Sequence, residues 1–258
     1  MSEKQSKVDT KWDDSDVVPD VICPDTAYVF ERMTRATQDA VEATLGILVL
    51  DVGCGIGADA GALAKSGATV VGLEPSEVML QKAIEFTSGG PRVAFVQGIG
   101  ESLPFKTGAF DCIVCKGALD HFTNPLVTLK EMSRLLKSDG RLIISIANYD
   151  SLSCKLGRAL HKVLGLFGWG RGKGRMMWQI PPDHIYKFDH ACLKAMLKQV
   201  VCIEKTVGVS LLWGLPYWGI CLSKLPHKLS WSVLEVLGRL AGCMPSQGDV
   251  IVVRCCKV

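Results

Sequence analysis

Asp51-Val52-Gly53-Cys54-Gly55-Ile56-Gly57 decides how this chain folds. It closes the apolar run Gly46-Ile47-Leu48-Val49-Leu50 and opens a stretch of small residues from Ala58 to Ala64. Apolar strand, glycine turn and helix, in that order, make the first β–α unit of a nucleotide-binding α/β fold. Glycine suits the turn because its backbone takes positive φ and lets a ligand approach where a Cβ would intervene. Read as Gly53-x-Gly55-x-x-Ala58, the stretch also fits the dinucleotide fingerprint. Two details weigh against that reading. Asp51 stands two residues before the first glycine, and Gly57 follows Gly55 at i+2. A carboxylate at the strand end repels a pyrophosphate and suits a cationic cofactor that bears an amine.

Further segments extend the pattern on both sides. Thr69-Val70-Val71-Gly72-Leu73-Glu74 reads as a second strand ending in an acid, where a ribose-binding carboxylate belongs. Downstream come Gly98-Ile99-Gly100-Glu101-Ser102-Leu103-Pro104-Phe105, then the strand Phe110–Cys115 leading to Ala118-Leu119-Asp120-His121-Phe122. Leu135–Ser145 reads as the end of a helix, a turn and a strand. In this order, over residues 46 to 147, the segments resemble the class I S-adenosylmethionine (SAM) dependent methyltransferases, the type 11-like small-molecule family.

The resemblance implies a Rossmann-like α/β fold: a seven-stranded, mainly parallel sheet with helices on both faces and a helical lid. It implies SAM as cofactor, with Gly53, Gly55 and Gly57 forming its turn. Glu74 accepts from both ribose hydroxyls, and Asp51 orders the glycine loop and the methionine amine. At Ile99 the chain departs from the family, which carries there an acid that accepts from the adenine amine. Glu101, two residues on, is the candidate replacement.

SAM brings an activated methyl group, so such a protein mainly aligns the acceptor and excludes water. A general base matters when the acceptor is a hydroxyl or an acidic carbon. The candidate bases are Asp120 and His121 after the fourth strand, and His184 in Pro181-Pro182-Asp183-His184. A structural role for His121, capping the helix that begins near Asn124, is the competing reading. The expected acceptor is a small, partly hydrophobic molecule, lipid-like or anionic, methylated on oxygen or carbon. Ile99 and the lid leave open a second reading, a catalytically silent SAM- or lipid-binding member acting through its surface. A nicotinamide dehydrogenase is disfavoured by Asp51 and the Leu-Pro-Phe loop.

At 258 residues the chain can bury a sizeable core, and a net charge of +3 gives it no general affinity for polyanions. Its eleven cysteines, with no signal peptide, point to free thiols in a reducing interior and a cytoplasmic setting. Cys112 and Cys115 are spaced to point to opposite faces of a strand, which argues for packing over zinc or redox chemistry. No metal site is expected.

The acid-rich first 24 residues are expected to be disordered, followed by a methyltransferase domain over 25–258. A helix at Asp25–Ala43 is expected to cover the cofactor cleft, and two insertions, 148–189 and 210–247, to build the lid. The first carries an apolar helical stripe interleaved with Lys155, Arg158 and Lys162, then a loop with Arg171, Lys173 and Arg175. His161 on that helix is read as a surface residue. This basic lid suggests peripheral contact with an anionic membrane; nucleic acid is disfavoured, because no nucleic-acid module is visible.

Overall fold

The computed structural model describes residues 9–13, 22–91, 93–166 and 176–258. The expected loop with Arg171, Lys173 and Arg175 lies outside these residues, as do 1–8 and 14–21.

The elements alternate as the apolar runs dictate. Helix α1 (Pro24–Val41) precedes β1 (Leu48–Val52), α2 (Ala58–Lys65), β2 (Thr69–Glu74), α3 (Glu77–Thr87) and β3 (Val93–Gln97). Then come β4 (Phe110–Lys116), α4 (Pro125–Leu135), β5 (Leu136–Ala147), α5 (Leu152–Leu166), α6 (His190–Leu197) and β6 (Val201–Val209). Helices α7 (Trp218–Ser223) and α8 (His227–Cys243) lead to β7 (Val250–Lys257). The seven strands form one sheet in the order β3-β2-β1-β4-β5-β7-β6. β7 runs antiparallel to both β5 and β6, and the other pairings are parallel. The chain order reverses between β1 and β4. In an open α/β sheet a ligand binds beyond the carboxyl ends of the strands at that point.

Alternation along β4 shows how the core is divided. Ile113 and Cys115 point into a layer shared with Leu129 and Met132 of α4 and Leu193 of α6. Cys112 and Val114 point the other way, against Val29 and Met33 of α1 and Leu63 of α2. The two cysteines therefore lie on opposite faces, as their spacing requires, and burial raises the pKa of both thiols. All eleven cysteines are free.

Several expectations need correcting. Asp9–Asp13 is ordered, because the start of α3 needs acceptors for its first N–H groups. The carbonyl of Thr10 accepts from the Glu77 N–H at 3.0 Å, and that of Trp12 from the Ser76 hydroxyl at 2.5 Å. α1 does not cover the cleft; its apolar stripe is buried on the sheet face. β5 begins at Leu136, where the end of a helix was expected, because Leu136 pairs with the equally buried Phe110 before the register shifts. In segment 210–247, α7 and α8 pack on Tyr28 of α1 through Leu222 and Leu234.

Candidate cofactor and acceptor site

A cavity of about 570 Å³ opens at the reversal point, beyond the ends of β1, β2 and β4. Its floor is the glycine turn. Gly53 sits at φ +74°, and a Cβ there would lie 2.5 Å from that of Ala118. Gly57 caps α2 in the left-handed region at φ +70°. The Gly55 N–H, between them, donates to Glu74 Oε2 at 3.1 Å, and Glu74 Oε1 accepts from the Ser76 N–H at 3.1 Å. Glu74 thus ties the turn to the start of α3. Each of its oxygens keeps a second lone pair, and Glu74 lines the cavity. Burial raises its pKa, and these two N–H donors oppose the rise.

Asp51 is buried and also lines the cavity. Burial, and then the charge of Asp59, push its carboxyl up to about 8. Lys116 at the end of β4 opposes that rise and is itself held by Asp59 Oδ2 at 2.6 Å and by the Thr34 hydroxyl of α1 at 2.8 Å. Three buried carboxylate oxygens in the wall, Asp51 Oδ2, Asp59 Oδ1 and Glu101 Oε2, have no hydrogen-bond partner among the described residues. Buried acceptors without donors call for a ligand that supplies N–H or O–H groups and positive charge. A SAM molecule, with an ammonium, a sulfonium, an adenine amine and ribose hydroxyls, fits this donor set. A pyrophosphate does not.

Ile99 is in the wall, as is Glu101. Glu101 Oε1 accepts from the Thr123 hydroxyl at 2.7 Å and from the Asn124 N–H at 3.0 Å, so one oxygen anchors the start of α4 and the other remains for a ligand.

Of the candidate bases only His121 lines the cavity, and Asp120 and His184 gather beside it. Asp120 is 2% exposed and holds the His184 segment through its backbone: its carbonyl accepts from the Ile185 and Tyr186 N–H groups at 2.8 and 3.1 Å. His184 Nδ1 stands 2.7 Å from Asp120 Oδ2 and 3.3 Å from the Tyr149 hydroxyl. The rings of His121 and His184 meet edge-on, centroids 4.3 Å apart. His121 Nδ1 lies 3.2 Å from the Asp183 carbonyl, which can only accept. A neutral imidazole that donates from Nδ1 to this carbonyl has its free lone pair on Nε2. The capping role is filled by Asn124, whose Oδ1 accepts from the Val127 N–H at 3.2 Å, so His121 is not the cap. His161 is exposed, its ring tilted against that of Trp178 with centroids 5.8 Å apart.

Sequence reasoning missed Trp12 and Lys116 in the wall. Lys116 could have been found as the last residue of a strand at the carboxyl edge. Trp12 could not, since it lies in a stretch without periodicity. No residue of 210–247 lines the cavity, whereas Pro182, Asp183 and Ile185 of 148–189 do.

Residues 50–144 match the family described as methyltransferase domain. Over 109 residues, 42% of this chain, the sequence is 38% identical to a demethylmenaquinone methyltransferase of Clavibacter sepedonicus, covering 44% of it. Over 98 residues, 37% of this chain, it is 37% identical to the uncharacterized methyltransferase YcgJ of Bacillus subtilis, covering 39% of that protein. The chain thus spans less than half the length of either relative. Among solved structures, the magnesium protoporphyrin IX methyltransferase of Synechocystis, with bound SAH, superposes with a TM-score of 0.59 at 19% identity, over 91% of this chain and 86% of that one. Residues 50–144 are thus similar in sequence to a methyltransferase domain, and the solved structure shares the fold of the chain.

Proposed function

We propose that the protein transfers the methyl group of SAM to a hydroxyl or acidic carbon of a small, partly hydrophobic acceptor. The observation that carries this reading is His121, with Nδ1 3.2 Å from the Asp183 carbonyl, in a wall it shares with Phe122, Pro182 and Ile185. When bound, SAM supplies the electrophilic methyl. The chain holds the acceptor against the apolar wall, excludes water around it and accepts its proton at His121 Nε2. Asp120, 4.0 Å from that nitrogen, stabilises the imidazolium. The relative named demethylmenaquinone methyltransferase accords with a small-molecule acceptor.

The silent-member reading rests on Ile99. Glu101 Oε2 weakens it, because it offers the adenine amine an acceptor that Ile99 cannot. The test is SAH formation by the full chain over a panel of phenols, carboxylic acids and lipid-derived alcohols. His121→Gln is expected to lower turnover of the accepted compound ~10²–10⁴-fold while leaving SAH affinity unchanged. No turnover on any panel member, with SAH bound tightly, would favour the silent reading.

A further inference from the structure

We propose that Asp120, His121 and His184 form a binding site for a divalent first-row transition-metal cation at the acceptor end of the cavity. Each residue offers a ligand atom, and these atoms lie within 4.8 Å of one another. Donors about 2.1 Å from a shared cation sit roughly 3.0–3.5 Å apart, so a small closure brings the set to coordination distance. A second observation points to a ligand here. Asp120 is 2% exposed, and its Oδ1 has no hydrogen-bond partner among the described residues, standing 4.0 Å from His121 Nε2. His184 Nδ1 stands 2.7 Å from Oδ2, the other oxygen of this carboxylate.

The donor types narrow the cation. Two imidazoles and one carboxylate suit Mn²⁺, Fe²⁺, Co²⁺ or Zn²⁺ better than Ca²⁺ or Mg²⁺, which favour oxygen. Supporting contacts are in place. His121 Nδ1 donates to the Asp183 carbonyl, which turns Nε2 toward Asp120. The two backbone bonds onto the Asp120 carbonyl fix His184 against the loop after β4. Three protein ligands leave coordination positions open, and His121 brings the site to the cavity wall, where an acceptor oxygen can enter. An oxygen bound there is acidified, so the cation takes over the work assigned above to the free imidazole. That role rests on the methyl-transfer reading; cation occupancy does not.

The experiment uses the full chain stripped with a chelator and titrated with Mn²⁺, which avoids the exposed thiols that Zn²⁺ would occupy. Loss of the free-ion paramagnetic resonance signal counts bound cations. We expect one per chain, and a tenfold or greater loss of affinity in each of Asp120→Asn, His121→Gln and His184→Gln. SAH affinity, read in the same samples by calorimetry, should be unchanged in His184→Gln, showing that the fold is intact. Co²⁺ should give a visible absorption band that His121→Gln shifts. Background binding by the stripped wild-type chain, or equal binding by the three variants, would overturn the site. In that event His121 acts as a metal-free base. Failure of SAH to bind would instead strike the cofactor reading and leave the cation count standing.

Discussion

At the scale of single residues, Asp51 and Asp249 set the pH behaviour. Burial and Asp59 raise Asp51 to about 8, and burial raises Asp249 to about 7 against the bonds it accepts from the Ser153 hydroxyl and the Trp213 N–H. A carboxyl whose pKa is raised by folding stabilises the native state below its unfolded value, and that contribution is lost as pH rises through the folded value. The melting temperature of the ligand-free protein should therefore fall between about pH 4 and pH 8. Asp249→Asn should flatten part of that fall, and an unchanged slope would contradict the assignment. Asp51 gives the opposite sign for binding, because only its ionised form attracts an ammonium. SAH affinity should rise between pH 6 and pH 7.5, by up to about tenfold per unit, with a proton released on binding. Asp51→Asn should abolish that dependence; calorimetry in buffers of differing ionisation enthalpy would detect the proton.

Glu101 makes the second residue-scale prediction. Its Oε1 anchors α4, so Glu101→Ala costs stability as well as affinity. Glu101→Gln can keep Oε1 as an acceptor and replace the bare Oε2 with a donor. That variant should melt within a degree or two of the wild type yet bind SAH roughly 10–100-fold more weakly, the loss of a hydrogen bond to a charged group. Undiminished binding would show that Glu101 does not contact the adenine amine.

At the scale of elements, the site was legible where one strand or turn carries it. Asp51 and Glu74 lie on two adjacent strands, Gly53, Gly55 and Gly57 lie on the turn that follows β1, and positive φ at the three glycines follows from a turn that side chains would block. The acceptor end was only half legible. Asp120 and His184 could each be picked out by local pattern, but their 2.7 Å contact joins segments distant in sequence. It depends on the backbone bonds from Ile185 and Tyr186, which no spacing rule encodes. The same holds for Trp12, placed by the unmet acceptor needs of α3. α1 was legible as a helix, and its burial face was not. An amphipathic stripe states that one side is covered without naming the cover.

At the scale of the molecule, the strand order could be anticipated from βαβ alternation, because right-handed crossovers leave few arrangements. Surface function depends instead on charge and exposure. α5 exposes Leu156, Val163 and Leu166 beside Lys155, Arg158 and Lys162, although Asp150 pairs with Lys155 at 3.2 Å and Arg158 at 3.1 Å. No helix among the described residues is long and apolar enough to cross a membrane. We expect this face to meet an anionic lipid surface. Sedimentation with vesicles containing anionic lipid should then show binding that falls steeply with added salt and is reduced by changing Lys155, Arg158 and Lys162 to Ser. Equal binding to neutral vesicles would remove the electrostatic part of that account.

The whole account depends on a cavity shaped for a cationic, amine-bearing cofactor. The most direct measurement is the thermal stability of the full chain with SAM, with SAH and with NAD. At ~100 times its dissociation constant, a ligand selective for the folded state adds ~2.7 kcal/mol, which for a chain of this size raises the melting temperature by roughly 5–10 °C. The account predicts that shift with SAM and SAH, its loss in Glu74→Ala at the same ligand concentration, and none with NAD. No shift with either SAM form, alongside a shift with NAD, would contradict it.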